Sequence, residues 1–177
     1  MIWESSPWKK DLLATAARLR AYMATDSLSD EDLAQFERDI FIGFYSVRKL
    51  CETVTKLTDA TKLMQVQLCW YPNLRCVNWR NNHRIDELYD LETRCHESRD
   101  LGFICGQIIH SFIFVPCMED QGRLCEILFT SDTKKNKKLY SMKIEAVAAI
   151  FERVGNDDVT EVHRFRDPRG EETATVR

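Results

Sequence analysis

Glycine is scarce in this sequence, and its scarcity excludes two large classes of nucleotide-binding protein. The 177 residues contain only 6 glycines, at positions 43, 102, 106, 122, 155 and 170. A dinucleotide-binding fold or a phosphate-binding loop needs closely spaced glycines, because its backbone must approach the phosphates. No segment of the chain has that arrangement of glycines.

Long apolar runs and common catalytic motifs are also missing. The most apolar stretch, 101–115, includes Gln107 and His110, and it is shorter than the roughly 20 apolar residues that a membrane span requires. The opening residues, Met1-Ile2-Trp3-Glu4, lack the basic start and apolar run of a signal peptide. No His-Glu-x-x-His, Gly-x-Ser-x-Gly or kinase signature occurs. We therefore expect a cytoplasmic protein without a membrane span, and no motif assigns it to an enzyme class.

Charge and cysteine content narrow the possible partners further. The formal net charge of −3 gives no overall attraction to nucleic acid. The 7 cysteines are odd in number and follow no framework, which favours reduced thiols. The cysteines and histidines that invite a zinc interpretation are Cys69, Cys76, His83, Cys95 and His96. Their spacing does not match a zinc knuckle, so we predict neither a metal nor a cofactor.

The hydrophobic pattern predicts an α+β fold: a helical body with a long second helix, a small antiparallel β meander and a C-terminal helix. Apolar residues recur every three or four positions after Ser6-Pro7 and again after Ser29, which caps the second helix. The second helix has roughly 25 residues and is therefore about 37 Å long. Residues 63–71 alternate as a strand does, and 75–79 are its expected partner strand.

The second half of the chain contains short helices and the meander. Helices are predicted after Asn81-Asn82 and after Ser98. The three strands of the meander are predicted at 112–117, 123–131 and 139–143, and a last helix ends at Gly155. We expect a single domain over residues 1–156 and a polar, loosely ordered tail over 157–177.

The second helix carries the first candidate site. Arg48 and Glu52 are four residues apart and can pair, and Tyr45 shares their strip beside the apolar stripe. A guanidinium held by a carboxylate on a half-buried face can bind a phosphate or a carboxylate. The alternative is an ordinary ion pair on a helix surface, which contributes only a few tenths of a kcal/mol.

His110-Ser111 ends a helix that is apolar on most sides. A buried histidine there needs partners, because an unpaired buried polar group costs about 1–3 kcal/mol. It could serve as a general base, or it could be a core histidine whose charge is favoured at a helix C-terminus. We expect these groups to share one pocket that binds a small anion. The candidate ligand-binding residues are Tyr45, Arg48, Glu52, Asn82, His83, His110 and Ser111.

One dense basic run offers a route to nucleic acid. It consists of Lys134, Lys135, Lys137 and Lys138 in a predicted hairpin loop. Such lysines can contact phosphates. The favoured alternative is a solvated loop, because exposed lysines also discourage pairing between sheet edges.

Two helical segments resemble the HEPN superfamily over residues 30–112. They are Tyr45-Ser46-Val47-Arg48-Lys49-Leu50 in the long second helix and Ile109-His110-Ser111 at the end of a later one. The superfamily contains helical ribonucleases of toxin–antitoxin and phage-defence systems, often dimeric, together with inactive binding members. Its active members carry Arg-x4–6-His, whereas positions 103–105 here are Phe, Ile and Cys. The sequence is also similar to uncharacterised bacterial cytosolic proteins.

The resemblance implies a binding role, because the nuclease motif is missing. The leading prediction is a non-catalytic protein that binds a protein partner, a second copy or a small anion, as an accessory component of a bacterial defence or toxin–antitoxin system. The alternative is a metal-independent ribonuclease that uses His110 and Arg48. A separation of more than about 15 Å between those two residues would exclude a shared site.

Overall fold

The computed structural model describes residues 2–119, 122–166, 170 and 172–177. Its elements are α1 (Ser6–Ala24), α2 (Asp30–Glu52), α3 (Asp59–Lys62), β1 (Gln65–Pro72), α4 (Ile85–Leu88), β2 (Cys95–Asp100), α5 (Leu101–Ile109), β3 (Ser111–Met118), β4 (Leu124–Ser131), β5 (Lys138–Lys143), α6 (Ile144–Gly155), β6 (Val162–Arg166) and β7 (Glu172–Val176). The fold is therefore α+β.

The predicted small meander is wrong, because β3, β4 and β5 form only part of a larger sheet. Five antiparallel strands are ordered β2-β1-β5-β4-β3. Strand β1 joins the meander through β5, where Trp70 is opposite Tyr140 and Tyr71 is opposite Leu139. This pairing connects segments about seventy residues apart, and hydrophobic periodicity contains no information about such long-range partners.

The partner of β1 also differs from the prediction. Strand β2 pairs with β1 from Gln65 opposite Asp100 to Trp70 opposite Cys95, whereas residues 75–79 form no strand. Ser98 lies within β2, and α5 is instead capped by Asp100, whose carboxylate accepts a hydrogen bond of 2.7 Å from the Phe103 amide. Strand β2 is a polar edge strand without the apolar alternation that predicts a strand.

The long second helix packs most of one face into the main core. A capping box between Ser29 and Asp32 begins it. Phe36, Phe44 and other apolar side chains on that face are fully buried between the helices and one face of the sheet. Gly43 allows α6 to approach closely, since a Cβ at this position would lie 2.3 Å from the Phe151 ring.

The segment after residue 156, predicted as a loosely ordered tail, contains the antiparallel pair β6 and β7. The Val176 side chain is buried, and its amide donates a hydrogen bond of 3.0 Å to Asp59 in α3. The exposed side chains along β6 gave no apolar pattern that would predict this hairpin.

Within the described ranges, no helix combines the length and apolar character that crossing a bilayer requires.

Candidate functional site

Arg48 of α2 and His110 at the end of α5 meet on the protein surface. The Nη1 atom of Arg48 lies 3.4 Å from Nε2 of His110, well inside the limit of about 15 Å for a shared site. The interpretation of His110 as a core histidine is wrong, because its side chain is exposed. It stands at the C-cap of α5, where the last turn of the helix ends and the side chain turns toward α2.

Glu52 holds Arg48 in place. The Nε atom of Arg48 donates a hydrogen bond of 2.7 Å to one carboxylate oxygen of Glu52, and Lys49 donates one of 3.0 Å to the other. These bonds, from Arg48 first and then Lys49, lower the pKa of Glu52. The same pairing raises the pKa of Arg48. The predicted i, i+4 ion pair is thus formed, and it leaves Nη1 of Arg48 directed at His110.

An open cleft of about 460 Å³ lies beside these groups; we call it the arginine cleft. Its lining residues are Arg48, Cys51, Glu52, Gly102, Cys105, Gly106 and His110. Gly102, Gly106 and His110 follow one another at steps of four along α5 and so share one face of that helix. A Cβ at Gly106 would meet no atom within 4 Å, so the missing side chain there leaves room for a ligand.

Burial disfavours the thiolate form of the two cysteines that line the arginine cleft. Burial raises the pKa of Cys51 to about 11, and burial also raises the pKa of Cys105. Because the thiolate is the reactive form of cysteine, the polar chemistry of the cleft comes from the guanidinium, the imidazole and the Glu52 carboxylate.

The other predicted site residues lie elsewhere. Tyr45 faces a second groove, and Ser111 begins β3 opposite Ser131. Asn82 and His83 lie in the turns before α4, where the Asn82 amide donates to the Asn78 carbonyl at 3.1 Å. Neither of them lines the arginine cleft or the second groove.

The second groove is larger, at about 880 Å³, and we call it the tryptophan groove. It lies between the start of α1, the end of α2 and the β6–β7 hairpin. Its lining residues are Ile2, Trp3, Trp8, Tyr45, Lys49, Glu52, Thr53, Val54, Thr55, Arg164, Thr173 and Ala174. Sequence reasoning missed this groove because its walls come from chain segments that are far apart, and because Trp3 precedes the first helix.

In the predicted basic run, Lys134, Lys135 and Lys137 lie in the turn between β4 and β5, and Lys138 begins β5. Two of these lysines make contacts within the protein. Lys135 bonds to Asp132 at 2.6 Å and lies 3.7 Å from the centre of the Phe112 ring. Lys138 bonds to Glu97 at 2.5 Å. These contacts occupy the ammonium groups of Lys135 and Lys138, so fewer free charges of the run are left to bind a phosphate backbone.

The cysteines and histidines considered for zinc do not gather at one place. The Cys69 sulfur lies 3.4 Å from Nδ1 of His96 across β1 and β2. Among the residues the structure describes, no three His, Cys, Asp or Glu side chains converge as metal ligands would.

Comparison of the chain with protein-family models, with curated proteins and with solved structures finds no match. The HEPN resemblance therefore stays a prediction.

Proposed function

We propose that this chain is a non-catalytic cytoplasmic protein that binds a small anion, a phosphate or a carboxylate, in the arginine cleft. The observation that carries the proposal is the distance of 3.4 Å between Arg48 Nη1 and His110 Nε2 at the wall of an open cleft. A guanidinium is a planar, always charged donor suited to anions. The imidazole of His110 has a ring N–H that can donate a second hydrogen bond to an anion bound beside the guanidinium.

The proton-transfer groups of the cleft favour binding over catalysis. Hydrolysis and phosphodiester cleavage need one group to remove a proton and another to deliver one. Glu52 is unsuited to act as an acid at neutral pH because the bonds from Arg48 and Lys49 lower its pKa, and it is poorly placed to act as a base because both of its carboxylate oxygens already accept those bonds. His110 is then the one group left in the cleft for proton transfer.

Calorimetric titration with inorganic phosphate and with acetate tests the proposal. Losing a charge-assisted hydrogen-bonded pair costs about 1.5–3 kcal/mol, so Arg48→Ala should weaken binding by roughly 10- to 150-fold. Arg84→Ala is the matched control, because Arg84 is an exposed arginine paired with Glu87 and lines neither the arginine cleft nor the tryptophan groove. Equal affinity in wild type and Arg48→Ala, or no binding of either anion at millimolar concentration, would contradict the proposal.

We also propose that the chain binds a protein partner or a second copy of itself. The resemblance of α2 and the end of α5 to the HEPN superfamily supports a role as an accessory component of a bacterial defence or toxin–antitoxin system. Sedimentation of the purified chain, alone and with the product of a neighbouring gene, tests this part. A single species with the mass of the monomer under both conditions would exclude it.

A metal-independent ribonuclease is the second candidate, and the contact between Arg48 and His110 favours it as well. His110 would take the proton from the ribose 2′-hydroxyl, whose oxygen attacks the phosphorus and forms a 2′,3′-cyclic phosphate as the bond to the 5′-oxygen breaks. Arg48 would stabilise the charge that develops on the phosphate, and the leaving 5′-oxygen takes its proton from His110 or from water. An RNA-cleavage assay compares wild type with His110→Ala and, as a control, His83→Ala. Equal background cleavage in all three rules out the nuclease, and cleavage lost in His110→Ala alone establishes it.

A further inference from the structure

The tryptophan groove has the size and lining of a small-molecule site. Its volume of about 880 Å³ falls within the roughly 300–1,000 Å³ of typical ligand pockets. Trp3 is 95% exposed and Tyr45 is 44% exposed, so each presents a large part of its aromatic surface to solvent. The segment that carries Trp3 is tethered to the body of the protein, because Lys56 donates a hydrogen bond of 2.9 Å to the Trp3 carbonyl.

The groove also has the charge that an anionic ligand needs. Lys49 and Arg164 are its basic lining residues, and Glu52 is its acidic one. The lining is therefore net positive, although the whole chain has a formal net charge of −3. Lys49 lies 5.7 Å from the centre of the Tyr45 ring, which places an ammonium group beside the aromatic wall.

The groove and the arginine cleft are adjacent, and Glu52 borders both. One oxygen of its carboxylate accepts from Arg48 on the cleft side, and the other accepts from Lys49 on the groove side. Because both cations bond to one carboxylate, their nitrogens are within roughly 8 Å of each other. The Arg48 guanidinium of the cleft and the Lys49 ammonium beside the Tyr45 ring therefore lie on either side of the Glu52 carboxylate, where the cleft and the groove meet.

We infer that the two depressions form one site, and that its ligand is a small aromatic phosphate or carboxylate. The anionic group binds Arg48 and His110, and the ring binds against Trp3 and Tyr45. Flat ligands suit such walls because aromatic rings stack on tryptophan and tyrosine faces with more stabilisation than area burial alone provides. This inference rests on the proposed anion-binding function and adds the class of molecule that carries the anion.

The test compares three probes by calorimetry: inorganic phosphate, 1-naphthyl phosphate and octyl phosphate. The naphthyl compound should bind about tenfold more tightly than inorganic phosphate and more tightly than the octyl compound. Trp3→Ala should lower the affinity for 1-naphthyl phosphate to that of inorganic phosphate. Trp79→Ala is the matched control, because Trp79 is 73% exposed and lines neither depression, and it should leave all three affinities unchanged.

The outcomes separate this inference from the function on which it rests. Equal affinity for phosphate and 1-naphthyl phosphate, no effect of Trp3→Ala, or octyl phosphate binding as tightly as the naphthyl compound overturns the aromatic ligand. In each of these cases, phosphate binding that is lost in Arg48→Ala still supports the proposed function. A fourth, uncharged probe, 1-naphthol, tests the anion site itself. If it binds as tightly as 1-naphthyl phosphate and Arg48→Ala changes neither affinity, the anion site fails and the single-site inference fails with it.

Discussion

At the scale of single residues, the absence of a side chain at Gly106 of α5 matters to the arginine cleft as much as the presence of the His110 side chain. Gly106 stands between Gly102 and His110 on the face that lines the cleft, and a Cβ there would meet no atom within 4 Å. One of the few glycines of the chain therefore has a specific role in the arginine cleft. This glycine forms no phosphate-binding loop, yet it keeps open the space in front of the Arg48 guanidinium.

Gly106→Leu should therefore block anion binding while the protein stays folded. A leucine side chain fits without a clash at its Cβ, leucine favours the helix over glycine by up to about 1 kcal/mol, and its branches fill the cleft. We expect phosphate affinity to fall at least as far as in Arg48→Ala, with an unchanged or higher thermal midpoint. Wild-type phosphate affinity in the folded Gly106→Leu protein would place the anion outside the arginine cleft.

At the scale of elements, α2 connects the core to the candidate site. Its buried face runs from Phe36 to Leu50, and its last two turns carry Arg48 and Glu52 on the side that faces the surface. Gly43 marks the closest approach of this helix to α6, where a Cβ would lie 2.3 Å from Phe151. The Phe151 ring also stacks edge-on against Phe44, with 5.1 Å between ring centres.

Gly43→Ala should destabilise the protein, although alanine is the better helix former. Displacing the Phe151 ring costs about 1–3 kcal/mol, as overpacking of a core usually does, and the gain in helix propensity of up to about 1 kcal/mol offsets only part of it. Urea unfolding measures the change in the free energy of unfolding. Gly106→Ala is the control, because Gly106 also lies inside a helix but a Cβ there would meet no atom within 4 Å. A Gly43→Ala protein that is more stable than wild type would show that α2 and α6 do not approach so closely.

The sequence predicts the helices and strands that local hydrophobic periodicity specifies. It predicts few of the pairings and contacts between segments that are far apart in the chain. The Ser29 cap and the apolar stripe predict α2 well, and the strip beside that stripe identifies Arg48 and Glu52. The pairing of β1 with β2 was missed because the pattern of β2 is polar. The tryptophan groove was missed because its lining residues come from both ends of the chain and from the end of α2. Asn82 and His83 were expected at the site because their side chains are polar, and nothing in the spacing of residues reveals that a turn places them elsewhere.

At the scale of the whole molecule, a polar connection ties the edge strand β2 to β5. Glu97 accepts hydrogen bonds from Arg99 at 2.8 Å and from Lys138 at 2.5 Å. Burial alone would raise the pKa of Glu97, but the hydrogen bonds outweigh burial and lower this pKa to about 2. The carboxylate of Glu97 therefore contributes stability that depends on pH.

The sign of this dependence follows from the direction of the shift. A carboxylate whose pKa is lower in the folded protein stabilises the fold above its ordinary pKa of 4.5, and that contribution is lost as pH falls toward about 2. We expect the free energy of unfolding to fall between pH 5 and pH 2, with about 1–3 kcal/mol of the loss due to Glu97. Glu97→Gln should be less stable than wild type at pH 7, and its free energy of unfolding should fall less between pH 5 and pH 2. Parallel pH profiles for the two proteins would contradict this role of Glu97.

In the proposed site Arg48 and His110 bind the same anion, and a double-mutant cycle of phosphate affinity tests this shared binding most directly. Calorimetry would compare wild type, Arg48→Ala, His110→Ala and the double variant under the same conditions. Groups that share a ligand in direct contact couple by about 0.5–3 kcal/mol, so the double variant should lose clearly less affinity than the two single losses combined. Losses that add without coupling, or a His110→Ala protein that binds phosphate as wild type does, would contradict the account.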